Sequence, residues 1–169
     1  MRLEFLLPLL LTLSACSGMP MTADAFREDT RNDKEFKSVP LPNVPFKVAE
    51  KRLTDFATKC LNASLVRTEM RGGGANSSVS RSHYVFTPKI ERGKDRFTLT
   101  DQWIDKASHY LNKIPDDGMY ALVIDLFPNG AGTRADFFFY NRLLAHWEKY
   151  QTLAMGWLTD EEHLCPDFT

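Results

Sequence analysis

The stretch from Met119 to Phe127 reads MYALVIDLF and is apolar at nearly every consecutive position. A strand points successive side chains to opposite faces. A run without alternation therefore predicts a central strand covered on both sides, or one heavily packed at an edge. Pro128-Asn129-Gly130 follows as a turn signal, and TRADFFFY at 133–140 supplies the returning arm. Phe137 and Phe139 fall on one face of that arm, Phe138 and Tyr140 on the other. This hairpin limits the fold more than any other segment, because the rest of the chain must supply cover for both of its faces.

The remaining periodicities show where the cover comes from. Apolar residues at Phe46, Ala49, Leu53, Phe56, Ala57, Cys60 and Leu61 form one helical stripe, which Asn62 closes. Leu143, Leu144, Trp147, Tyr150, Ala154 and Trp157 recur at mostly three- and four-residue steps and predict a C-terminal helix. Between them, short alternating runs at 63–70, 80–90 and 96–103 read as strands of a meander. Residues 104–118 allow either a short helix or a loop. The order helix, about five strands, helix predicts a two-layer α+β fold, with an antiparallel sheet and both helices packed on one face.

The ends of the chain bear on place. Residues 1–15 combine a short head carrying Arg2 with an apolar body, FLLPLLLTL, too short for a permanent membrane span. They read as an export signal. The segment LSAC at 13–16 resembles the lipobox of bacterial lipoproteins. That resemblance implies cleavage before Cys16 and acylation of its thiol. Ser17, rather than an aspartate, follows it and points to the outer membrane. The alternative is an ordinary signal peptide cut nearby.

Removal of residues 1–15 leaves Cys60 and Cys165. In an oxidising compartment these two thiols have one possible pairing. The other reading, a reactive thiol, has no Cys-x-x-Cys spacing behind it. Residues 16–45 are charged and then proline-rich, with Pro40, Pro42 and Pro45, and read as a lipidated tether. An arm packed along the domain through Phe26, Phe36 and Leu41 is the alternative. Residues 46–169 then form the disulfide-linked domain. The formal net charge of −1 gives no broad basic field for nucleic acid, which is not expected as a partner.

Several segments together resemble a known group. They are CL at 60–61, HYVFTP at 83–88, YALVIDLFPNGAGT at 120–133, Trp147, GW at 156–157 and the pair Cys165-Pro166. With the lipobox, they look like small proteobacterial envelope lipoproteins of unassigned function, over roughly residues 46–168. The resemblance implies an envelope location and a Cys60–Cys165 bridge, and it carries over no catalytic residue.

Candidate sites are sparse. RGGG at 71–74 lacks the Lys-Ser/Thr ending of a phosphate loop and reads as a hairpin loop, flanked by Arg71 and Arg81 that could touch a partner. His83, His109, His146 and His163 form no metal-binding spacing; a meeting of His146 and His163 at the C-terminal end, with Glu161 and Glu162, is the alternative. No metal or cofactor is expected. Ser80, Ser82 and Ser108 sit in no nucleophile elbow, and Asp116-Asp117 before Gly118 reads as a turn. Asp125 interrupts an apolar run, so its carboxylate must be paired if buried, with Arg134 across the hairpin as the expected partner. Phe138 and Tyr140 need cover from the tether, the domain's own tail, another subunit or a partner. These features lead to an expectation of a periplasm-facing module, lipid-anchored in the outer membrane, that binds an envelope protein or itself and is not an enzyme. A small envelope hydrolase using His83, His109 or Asp125, and an inhibitor of an envelope toxin, are the alternatives.

Overall fold

The computed structural model describes residues 22–31, 36–71, 78–106, 118–139, 147–161 and 163–165. The elements run α1 (Ala23–Arg31), β1 (Phe36–Leu41), α2 (Phe46–Phe56) with a π-helical turn (Ala57–Leu61), β2 (Ser64–Arg71), β3 (Ser78–Arg92), β4 (Phe97–Asp105), β5 (Met119–Asn129), β6 (Gly132–Phe139) and α3 (Trp147–Thr159). The six strands form one antiparallel sheet in the order β1-β6-β5-β4-β3-β2. The fold is α+β, a multi-stranded antiparallel sheet flanked by helices.

The doubly apolar run lies where its pattern requires. β5 sits between β4 and β6, and Ala121 to Leu126 are all buried. Leu122, Ile124 and Leu126 face the main core together with Phe137 and Phe139 of β6. Above them α2 lays down Ala49, Leu53 and Phe56, and the π-helical turn adds Ala57, Cys60 and Leu61. α3 packs beside α2, with Trp157 centred 6.0 Å from Phe56. The Cys60–Cys165 disulfide ties the turn after α2 to the segment after α3, with the two Cα atoms 4.9 Å apart. A link across so long a loop stabilises by about 4–5 kcal/mol in the chain-entropy picture.

The other face of β5 and β6 differs from expectation. Residues 23–31 and 36–41 are not a free tether. They form a helix and a strand of the domain itself, which is the packed-arm alternative. α1 is amphipathic, with Phe26, Arg27 and Thr30 on its buried side. Phe26 packs on Val123 and Phe138, flanked by Ala23, Phe36 and Tyr120. Helices therefore cover both faces over β5–β6, giving three layers there instead of two. β1 pairs with β6 from Phe36↔Phe138 to Leu41↔Thr133, an edge position that tolerates Pro40 in the strand. Charge and proline content concealed these elements, because each is held by a few anchors on an apolar surface that the rest of the chain provides.

One glycine is fixed by this closure. A Cβ on Gly132 would stand 2.6 Å from the Pro42 carbonyl oxygen and closer still to that of Leu41. The chain leaving β1 thus runs directly over the start of β6.

Candidate functional site

The fifteen residues of β3 serve two different neighbours. Its second part pairs with β4 from Tyr84↔Asp105 to Arg92↔Phe97. Its first part pairs with β2 from Ser64↔Val85 to Arg71↔Ser78. The two registers overlap only at Tyr84 and Val85. Beyond that point, among the described residues, β2 and β3 pair only with each other, as a two-stranded ribbon. Lys106 N–H donating to the His83 carbonyl at 2.8 Å marks the junction. At about 3.3 Å per residue the stretch of β3 paired only with β2 is roughly 20 Å long.

A ribbon of two strands is marginal alone in water. Among the described residues, no strand pairs with either outer edge of this one beyond the junction. Alternation places Val66, Val79, Arg81 and His83 on one face. Val66 is 46 % exposed and Val79 62 % exposed, the two most exposed of these positions that are apolar. Arg81 is exposed opposite Thr68, and Arg71 pairs with Ser78 at the far end. Sequence reading picked out the two arginines through the glycines between them. The two strands and the loop between them are as expected, but the point where they outrun β4 was missed, although SVSRSH, with Val79 its one strand former, is what an arm without a core to face would show.

The aromatic surface expected at Phe138 and Tyr140 is not available at Phe138. Phe138 is 1 % exposed beneath α1, and its ring lies 5.0 Å from that of Phe36. Tyr140 falls outside the described residues, as do Cys16, Ser108, His109, Asp116, Asp117, His146 and the glycines at 72–74.

The expected Asp125–Arg134 pair is also corrected. Register sets Asp125 opposite Asp136, while Arg134 stands opposite Phe127. Facing carboxylates repel, so each needs its own cation. Asp136 takes Arg134 Nε at 3.2 Å and a hydrogen bond from Ser38 Oγ. Asp125 takes Arg27 of α1 in a fork, Nε to Oδ2 at 2.7 Å and Nη2 to Oδ1 at 2.9 Å. Thr98 Oγ1 donates a third bond at 2.6 Å, and Arg27 also reaches Asp24. Burial disfavours the Arg27 charge, but Asp125 and Asp24 more than offset it, and the guanidinium is held above its ordinary value. Asp125 is thereby committed to holding α1 on the sheet. The helical spacing of Asp24, Phe26, Arg27 and Thr30 was the signal for this contact.

Two polar contacts involve the histidines among the described residues. Ser64 Oγ meets His83 Nε2 at 2.8 Å across the ribbon, a contact set by register that no linear motif announces. It is a hydrogen bond between strands, joining an exposed serine to a half-buried histidine. His163 bonds Asp160 at 2.9 Å and lies 4.5 Å from the Trp157 ring. Among the described residues no cluster of three metal-ligating side chains forms.

Asp101 is the most perturbed acid. It is 1 % exposed on β4, beside the register shift against β5, and its Oδ1 has no partner. Burial pushes its carboxyl well above the usual aspartate value, opposed only by a backbone hydrogen bond from Gln102. The neutral acid is the form that the core accommodates. Among the described residues no helix is long and apolar enough to cross a membrane. No protein-family model, curated protein or solved structure matches this chain.

Proposed function

We propose that the protein is a lipid-anchored module of the bacterial outer membrane, facing the periplasm, that docks an envelope protein through the β2–β3 ribbon. The observation that carries the docking reading is the ribbon itself. Val66 and Val79 are exposed on it, and among the described residues no other strand pairs with β2 or β3 beyond the junction. Such an edge can receive an added strand, whose main-chain hydrogen bonds supply affinity while alternate side chains supply selectivity. The Cys60–Cys165 disulfide supports the export part of the reading, since such bonds persist in oxidising compartments. The leader and LSAC at residues 13–16 support the anchor. Anchoring raises the effective concentration of the ribbon for partners at the same membrane.

A photo-crosslinking residue placed at Val66 or Val79 in intact envelopes tests the docking. The expected result is one recurrent adduct from both positions and none from exposed Lys94, in the β3–β4 turn. Equal adduct patterns from all three sites, with the protein in the membrane fraction, would end this reading. Mass spectrometry of the mature N-terminus tests Cys16 acylation separately, with Cys16→Ser as the soluble control.

A further inference from the structure

β2 is an end strand of the sheet, and among the described residues no strand pairs with its outer side. The other end strand, β1, carries Lys37 and Pro40, residue types that discourage further pairing at an edge. β2 has neither lysine nor proline.

The hydrogen-bond phase shows which residues this edge presents. Phe86 N–H donates to the Ala63 carbonyl at 2.9 Å, so these two, one step before Ser64↔Val85, form a hydrogen-bonded pair. The bond from Lys106 N–H to the His83 carbonyl sets the same phase on β3. Antiparallel ladders alternate hydrogen-bonded and non-hydrogen-bonded pairs. Leu65, Arg67, Glu69 and Arg71 therefore turn their backbone groups toward β3, and Val66, Thr68 and Met70 turn theirs outward.

A second copy can meet these outward groups about a two-fold axis normal to the sheet. Residues equidistant from the axis then face each other, and the sequence of β2 selects where the axis passes. At Val66 it leaves Arg67 opposite Leu65. At Arg67 it sets that arginine on its own copy. At Glu69 it opposes two glutamates and sets Arg67 on Arg71. At Met70 it carries the pairing past Arg71, where β2 ends. At Thr68 it sets Arg67 against Glu69 of the second copy, twice by symmetry, and Val66 against Met70. The charged residues then hold the non-hydrogen-bonded positions, where facing side chains come closest. Val66, 46 % exposed, gains an apolar neighbour. We infer that β2 pairs with β2 of a second copy of this chain, antiparallel about Thr68, joining two sheets into one. This rests on the docking reading of the ribbon and names its partner.

Thiol crosslinking of the purified full-length chain tests it. In a Cys16→Ser background the thiol of Thr68→Cys is free, while Cys60 and Cys165 are bridged. Facing β-carbons lie about 4.5–5.5 Å apart, so a short bis-maleimide should link Thr68→Cys into a dimer and leave Lys94→Cys monomeric. Arg67→Glu sets glutamate against glutamate twice and should weaken the dimer roughly tenfold by sedimentation. Adding Glu69→Arg to it should restore the dimer. The thermal transition of each variant checks its folding. Equal linkage from Thr68→Cys and Lys94→Cys, a charge swap that restores nothing, or species larger than a dimer would overturn the inference. If the purified chain stays monomeric while Val66 and Val79 still give one recurrent adduct with a different protein in envelopes, the second copy is refuted and the docking reading stands. If neither dimer nor selective adduct forms, both fall.

Discussion

Replacing Arg27 by alanine should destabilise the whole domain, although α1 lies in a segment whose composition resembles a tether. In the native structure Asp125 is 2 % exposed and accepts two bonds from Arg27 and one from Thr98. Arg27→Ala leaves that carboxylate buried with a single protein donor. Breaking a buried pair from one side costs about 3–5 kcal/mol, because the remaining charge has lost its compensation. Domains of this kind are stable by only about 5–15 kcal/mol. With a urea slope of about 2 kcal/mol per M, the midpoint should fall by about 2 M. The control is the double variant Arg27→Met, Asp125→Leu, which removes both charges and should recover most of the loss. Phe26→Ala, which empties a fully buried site, should cost about 3–5 kcal/mol independently. A midpoint shift below about 0.5 M for Arg27→Ala, or a double variant no better than the single one, would refute the claim that this ion pair clamps α1 to the sheet.

Asp101 should make stability fall with rising pH. Its folded-state value lies above its unfolded value, so the folded protein binds the proton more tightly. Below about 4 both states are protonated and nothing is lost. Above that, unfolding releases a proton and stability declines until the folded-state value is reached. Asp101→Asn should remove this decline and raise the neutral-pH urea midpoint, and a pH series on both proteins checks it. Cys165→Ser should cost about 4–5 kcal/mol by denaturant titration, and reductant should lower the parent to the same level. Gly132→Ala should cost about 1–3 kcal/mol by the same titration, since the chain leaving β1 blocks a Cβ there.

Elements with strong internal patterning were legible in the sequence. The stripe from Ala49 to Leu61 gave α2 and its turn, and the doubly apolar run at 119–127 gave a strand with neighbours on both sides. Elements that borrow their stability were not. β1 contains Pro40 and few large residues, and it exists because β6 offers an open edge. α1 carries a charge at most of its positions, and its Phe26 and Arg27 matter only against Val123, Phe138 and Asp125. The Asp125 partner was missed for the same reason. The need for a cation could be read locally, but the identity of the cation depended on a helix whose docking could not. The ribbon escaped because strand periodicity says which residues alternate, and not where one strand outruns its neighbour.

The early start of the folded body changes the mechanics of any anchor. α1 begins at Ala23, so an acylated Cys16 would be joined to the body by a leash of a few residues, at most roughly 25 Å when fully drawn out. A thirty-residue stalk could have carried the domain across much of the periplasmic gap; this leash would keep it grazing the lipid headgroups. A partner docked on the ribbon, as proposed, would then have to come to the bilayer, which favours residents of that membrane over soluble passers-by.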